Sequence, residues 1–383
     1  MATKLLTTED VPGVANWQDV SAVVPPSEQT LAQTLGFGDQ SGGENIVMTG
    51  GGEIQSNGPL ILNYDENSAL QVTADGNPRG FSAIDLQKLR FNQSQVASGY
   101  GSMILGYSGN TASDFYSTAI GLNNTVSGSS AFAIGDTNTI TGQSNYVIGF
   151  VNNATNTAVH SFAAGRSNTL SGNYSVGIGA FNVVSDGSVT LGRNNTTSSS
   201  DGICIGYSNT ASGLSTAIGV LNTTLANSYS LAMGYGSKTS TYGENAYASG
   251  YFINTGDAKI SKVCFRRVTN NAGTFELFTD GITNRYSISN TKAIKFRIQI
   301  IGKNTVTNTI NGYDVTGMAK NVGGTITVLG VVVTANSGNE FAMGGTPVSV
   351  LGGATFSVNV APNVGANTVY WVAEMTAASV LGV

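Results

Sequence analysis

Ser117–Gly128 reads STAIGLNNTVSG, Ala131–Gly142 reads AFAIGDTNTITG and Cys204–Gly213 reads CIGYSNTASG. Aligned on the glycine, these stretches give one unit, S-x-A-I-G-x-x-N-T-(V/I/L)-S-G. Eight glycines have an asparagine three residues on: Gly121 with Asn124, Gly135 with Asn138, Gly149 with Asn152, Gly165 with Asn168, Gly179 with Asn182, Gly192 with Asn195, Gly206 with Asn209 and Gly219 with Asn222. Successive glycines lie 14, 14, 16, 14, 13, 14 and 13 residues apart, and a weaker series reaches Gly106, Gly234 and Gly250. A period this short and regular means stacked coils of chain, each too small to bury a core alone.

Each turn holds two short β-compatible segments between polar corners rich in Gly and Asn. Helix is excluded by the Gly, Asn, Thr and Ser content and by the lack of a 3.6-residue period. Two apolar points per turn are expected to face a thin interior. One is the residue before the glycine: Ile120, Ile134, Ile148, Ile178, Leu191, Ile205 and Ile218. The other lies two positions after the asparagine: Val126, Ile140, Ala154, Leu170, Val184 and Ala211. The glycines are expected to supply positive φ or close backbone approach. The asparagines are expected to tolerate left-handed geometry and to form a ladder up the stack, with the loss of one rung a minor cost. So thin a column buries little, which points to several columns side by side, a homotrimer.

The S-x-A-I-G unit at this period resembles the head repeat of trimeric autotransporter adhesins, over roughly residues 96 to 252. The resemblance implies a left-handed parallel β-roll. That family usually has alanine where this chain has asparagine, so the ladder is a departure. The same roll occurs in phage tail fibres and spikes. An autotransporter would carry a signal peptide and a C-terminal anchor of amphipathic strands. The start MATKLLTTEDVPG has no apolar core, and no run of about 18 apolar residues occurs. The phage branch is therefore expected, on the virion exterior and without membrane insertion.

Four regions are expected. Residues 1–27, with Pro12, Pro25 and Pro26, form a docking arm for a capsid or tail protein. Residues 28–95 form a β-structured stalk, in which TLAQTL and the downstream SGGENIVM resemble phage fibre segments. Residues 96–255 are the β-roll shaft. Residues 256–383 carry strand patterns KVCFRRV, TFELF, RYSIS, AIKFRIQII, TITVLGVVVT, ATFSVNV and TVYWVAEM, which read as a jelly-roll-like β-sandwich. The approach YGENAYASGYFINTGDAK, the block TFELFTDG and the closing VYWVAEM resemble the C-terminal domain of phage tail fibres. The fold class is thus all-β.

Charge excludes several functions. Only 10% of residues are charged, with a net charge of -5, so nucleic-acid binding is not expected. Between Gly99 and Gly250 the charges are Asp114, Asp136, Arg166, Asp186, Arg193, Asp201, Lys238 and Glu244. His160 is the single histidine, which disfavours a catalytic triad or zinc site. Cys204 and Cys264 are expected to be buried free thiols. GFGDQSGG lacks the Lys-Ser/Thr ending of a phosphate loop.

Glycosidase chemistry needs two carboxylates about 5 to 9.5 Å apart. Asp114, Asp136, Asp186 and Asp201 sit at different repeat positions. Asp257, Glu276, Asp280, Asp314, Glu340 and Glu374 are read as solvated acids. No catalytic, cofactor or metal residues are assigned, and the chain is expected not to be an enzyme. Ten of the 17 basic residues fall between Lys259 and Lys320, and Arg266, Arg267, Arg285, Lys295 and Arg297 are the candidate receptor contacts. The expected function is a trimeric phage fibre or spike that attaches to host envelope glycan or protein through its C-terminus. The alternatives are a polysaccharide depolymerase tailspike and a bacterial trimeric adhesin.

Overall fold

A computed structural model of the chain describes residues 4–7, 16–19, 70–71, 76–225, 228–336 and 338–381, and every element among them is a strand. The chain divides into two units, Met1–Asn63 and Tyr64–Val383. In the first, Lys4–Thr7 pairs antiparallel with Asn16–Asp19. The rest of the expected docking arm, most of the stalk, its TLAQTL and SGGENIVM phrases and the GFGDQSGG stretch lie outside the described residues.

The second unit opens as a parallel β-solenoid with two walls. The long wall stacks strands in register from Ile84–Leu89 to Asn245–Ser249. The short wall is an eight-stranded sheet of two-residue strands from Thr111–Ala112 to Thr210–Ala211. The parallel wall therefore begins before the repeat, within the region expected as stalk.

The interior is thinner than the sequence suggests. The short wall points Val126, Ile140, Leu170 and Val184 inward, as expected, and all are fully buried. On the long wall the inward residue is Ala119, Ala133, Val147 or Ala163, two positions before the glycine. Ile134, Ile148 and their equivalents point outward, which corrects their assignment to the core. A small residue facing a branched one fills the gap between the walls, and two large ones would force them apart.

The asparagines occupy the rest of the interior. Asn110, Asn124, Asn138, Asn152, Asn168, Asn182, Asn195, Asn209 and Asn222 are all buried, one per turn. The side-chain Nδ2 of Asn138 donates to Asn124 Oδ1 at 2.9 Å, Gly149 O at 2.8 Å and Ile134 O at 3.3 Å. Its Oδ1 accepts the backbone N–H and the amide of Asn152, both at 3.0 Å. Gln87 Oε1 receives the Asn110 N–H at one end, and the Ser237 N–H donates to Asn222 Oδ1 at the other. Asn110 follows Gly106 by four residues, and a register shift between Gly106 and Ser108 absorbs the extra one.

The glycines meet both demands placed on them. Gly135 has φ +124°, and a Cβ there would lie 2.0 Å from the carbonyl oxygen of Gly149. The left-handed non-glycine is not the ladder asparagine but the residue before it, as at Asn123, Thr137, Val151 and Phe181, with φ from +53° to +58°. Its N–H bonds to the previous turn, as Val151 N does to Asp136 O at 3.0 Å.

At the end of the shaft the sheet continues without a break. Asn245–Ser249 pairs antiparallel with Ala258–Thr269. That strand pairs with Val369–Leu381, which pairs with Lys292–Asn304, followed by Ile310–Val322 and Thr325–Ala335. A three-stranded sheet of Phe275–Leu277, Ser357–Pro362 and Met343–Leu351 shares its core, in which Phe265, Phe296, Ile298 and Trp371 meet Leu277, Val350 and Val358. Ile294, Phe296, Ile298 and Ile300 are inward and Lys295, Arg297 and Gln299 outward, as the alternation predicts.

Two expectations for the tip are corrected. RYSIS is not a strand: Tyr286 and Ile288 are buried, but Ser287 N–H bonds to Thr241 Oγ1 and Ile288 O accepts from Asn321. Those partners are side chains, so no ladder forms. Cys264 lies in a strand but faces outward, while Cys204 is buried and burial raises its thiol to about 12. Ile310–Val322 is a further long strand, outside the patterns read from the sequence, whose inward positions include Asn311, Asn321 and Gly317, the last giving room to the Phe296 ring.

Removing one ladder rung strands several partners at once. Asn138→Ala leaves the Asn152 N–H and the Gly149 and Ile134 carbonyls short of a bond, at about 1–3 kcal/mol for each fully orphaned group. It is expected to lower the melting temperature followed by circular dichroism, and Ala133→Asp, which puts a charge in the dry interior, lowers it further. A wild-type melting curve for Asn138→Ala would refute the ladder as a stabilising element.

Candidate functional site

The hairpin of Lys292–Asn304 with Ile310–Val322 and the segment after Thr325–Ala335 enclose a cleft of about 360 Å³. Gln299, Asp314, Asn336 and Asn339 bring amides and one carboxylate to it, with the outward Ile301 and Ile310 as apolar neighbours, while the buried Asn311 spends its amide on Glu340 and Phe341. The segment is tied down by backbone-to-amide bonds. Gly312 N–H donates to Asn339 Oδ1 at 2.8 Å, and Glu340 N–H to Asn311 Oδ1 at 2.7 Å. Glu340 Oε2 accepts the Ile310 N–H at 2.8 Å. Asp314 receives Arg297 Nη2 at 3.0 Å. Planar amides beside a paired carboxylate can both donate to and accept from adjacent hydroxyls, which is the chemistry of sugar binding.

The five predicted contacts fall into two groups. Arg266, Arg267 and Arg285 converge near Phe278, with Arg267 5.5 Å and Arg285 5.2 Å from its ring centroid. Their donors are engaged: Arg285 forks onto Glu276 with both bonds at 2.7 Å, Arg267 reaches Glu276 O, and Arg266 reaches Asp280 O. Lys295 and Arg297 lie apart from them on Lys292–Asn304, and Arg297 flanks the cleft. The cleft amides were missed because they come from separate loops and strands with no motif between them.

The acids are individually occupied. Asp257 accepts N–H bonds from Phe252, Ile253 and Asn254. Burial pushes the Asp280 carboxyl up, but the N–H groups of Ile282, Asn284 and Thr283 outweigh it and bring it down to about 2. Glu374 faces Lys262 at 3.4 Å, with both side chains exposed. In the shaft, Asp136 bonds Thr137 and Asp186 the Asn173 N–H. His160 takes left-handed geometry and stacks on Tyr174 with centroids 5.5 Å apart.

A buried polar cluster marks the junction of shaft and tip. Glu244 binds Lys259, the Ser261 hydroxyl and the N–H groups of Ser240 and Thr241. Lys259 also donates to Lys238 O at 2.6 Å. Burial alone would raise the Glu244 carboxyl, but the charge and hydrogen bond of Lys259 prevail and hold it below its ordinary value.

No protein-family model matches the chain, and no curated protein matches its sequence. Solved structures similar to it include the tailspike protein gp49 of Acinetobacter baumannii bacteriophage Fri1, a capsular polysaccharide depolymerase. The identity is 8%, over 73% of this chain and 66% of that one, with a TM-score of 0.19. The tailspike protein of Acinetobacter phage vB_ApiP_P1 is similar at 9% identity over 82% of this chain and 80% of that one, also with a TM-score of 0.19. The chain spans just under two thirds of the Fri1 protein. The expectation of a chain without enzymatic activity is corrected by that comparison, since the Fri1 tailspike is itself an enzyme.

The junction should be acid-sensitive. A carboxyl held below its unfolded value of 4.5 contributes stability above that pH and loses it as pH falls through the lower folded value. Glu244→Gln leaves Lys259 buried without its counter-charge, a loss of about 3–5 kcal/mol near neutrality. Melting from pH 7 to pH 3 should show a smaller acid-induced drop in the variant than in the wild type. Equal drops would mean that Glu244 does not carry the effect.

Proposed function

We propose that this chain is the host-engaging spike of a phage tail and that it acts on a surface polysaccharide. The observation that carries this reading is the unbroken sheet from Asn245–Ser249 into Ala258–Thr269, which joins a stiff, hydrogen-bonded shaft to a tip bearing the amide-lined cleft. The N-terminal residues dock on the particle, the roll acts as spacer, and the tip, a β-sandwich in this reading, meets the host. Amides at the cleft suit sugar hydroxyls, and repeated display of weak sites raises avidity.

Three copies associate along the outer face of the long wall. Ile148 and Ile178 are 42% and 40% exposed there, in register with Ile134, Ile205 and Met233. Tyr146 and Ile203 form a parallel outward column. A flat apolar strip of this length on a single chain marks an association surface. The threefold number follows from the resemblance to trimeric adhesin heads.

A second reading is that the spike cuts the polymer it holds. Asp314 is the one carboxylate that lines the cleft, and Glu340, which accepts the N–H of the lining residue Ile310, is the acid tied to its rim. Glycoside hydrolysis takes two carboxylates, and this reading takes Glu340 as the partner of Asp314.

Light scattering should give three times the chain mass of 39.3 kDa. Ile148→Asp with Ile178→Asp should yield single chains that keep their β-type circular dichroism, because both side chains point outward. A wild-type monomer would end the trimer reading.

Incubation with purified capsular polysaccharide of the host should retain the polymer, and Gln299→Ala with Asp314→Asn should weaken retention about tenfold. Shortened chains that vanish in Glu340→Gln support cutting at the cleft. Undiminished binding by the Gln299/Asp314 variant removes the cleft from the proposal.

A further inference from the structure

The shaft surface is not uniform. At the corner after each glycine, the residues in register run Asp136, Phe150, Arg166, Ala180, Arg193 and Tyr207. Arg166 and Arg193 are the only arginines of the shaft between Gly99 and Gly250, and both stand in this one column. The Arg166 guanidinium lies 5.5 Å from the ring centroids of both Phe150 and Phe181, and that of Arg193 lies 5.8 Å from Phe181. Both arginines are exposed, and no carboxylate pairs with either among the described residues. The aromatic rings beside them are open as well.

Phe181 holds left-handed geometry at φ +58°. The equivalent corners carry Asn123, Thr137, Val151, Ser167, Asn194, Ser208 and Leu221, and Phe181 is the one aromatic ring among them. That ring is 42% exposed and stands between the two arginines. Between Tyr146 and Tyr207 the acids are Asp186 and Asp201, and both belong to the opposite corner of the turn. A neighbouring copy in register therefore offers no carboxylate at this height.

We propose that this edge of the shaft is a binding site for an acidic polysaccharide lying along the solenoid axis. Stacking on phenylalanine fixes each guanidinium plane and leaves its N–H edge free to grip a sugar carboxylate in two bonds. Phe150 and Tyr207 flank the two arginines in the column and offer flat faces to the C–H side of a sugar ring, and Asp136, one rung beyond Phe150, bounds the site with a like charge. Arg166 and Arg193 are two rungs apart, about 10 Å at the strand spacing of a sheet, which matches alternate acidic residues of an extended polymer. Neutral Ala180 between them leaves space for the intervening sugar. The site is separate from the tip cleft, so either can fail without the other.

The test uses the full chain in native gels containing alginate, a polyuronate, or neutral dextran. Wild type should be retarded by alginate and not by dextran. Arg166→Gln with Arg193→Gln should raise the apparent dissociation constant for alginate about tenfold or more. Arg166→Lys with Arg193→Lys should weaken it less, Phe181→Ala should weaken it with the charge intact, and Lys88→Gln should leave it unchanged. Equal retardation of wild type and the double glutamine variant overturns the proposal, as does equal retardation by the two polymers. A fall in oligomeric mass of that variant by light scattering also overturns it, because the edge would then be occupied by a second copy.

Discussion

The buried amide ladder is the constraint on which the rest of the shaft depends. Each coil is too thin to enclose its own backbone groups with apolar side chains, so those groups need partners inside. An asparagine supplies two donors and an acceptor at each level, and here all are used: the previous Oδ1, two carbonyls and the next N–H. The geometry admits no slippage, since a shift of one residue would bury the wrong face and orphan every rung. Glycine follows from the same requirement, because the carbonyl of the next turn lies where a Cβ would be.

Strict register converts a repeating sequence into columns, and the columns define the surfaces. Inward columns set a small residue of one wall against a branched residue of the other. Outward ones place Ile134, Ile148 and Ile178 in a continuous apolar strip, and one corner gathers Arg166 and Arg193 around Phe181. A site in such a fold need not be a cavity: residues thirteen to sixteen apart in sequence become neighbours at one strand spacing. The shaft can thus carry chemistry through a few departures from the repeat while its interior stays unchanged.

At the tip the organising principle changes. Glu244, Lys259 and Ser261 form a buried polar knot where parallel pairing gives way to antiparallel pairing. Beyond it the core is ordinary apolar packing, with Trp371 set against Gly302 and Phe296 against Gly317. The cleft with Gln299, Asp314 and Asn339 is held by backbone-to-amide bonds and sits on this rigid base.

The sequence by itself determined the period, the stacking, the role of the glycines and the position of the ladder, because each is a local demand repeated many times. Val126, Ile140 and Leu170 were legible as interior for the same reason. Tertiary structure alone decided that Ala133 rather than Ile134 faces inward: both are apolar neighbours on a five-residue strand, and only the distance between the walls distinguishes them. It also decided that Cys264 is exposed, that the RYSIS segment binds side chains instead of a strand, and that Arg285 and Arg297 are paired with Glu276 and Asp314. The cleft was illegible because its amides share no spacing along the chain. They converge through strand pairing and loop closure, and no local pattern records that convergence.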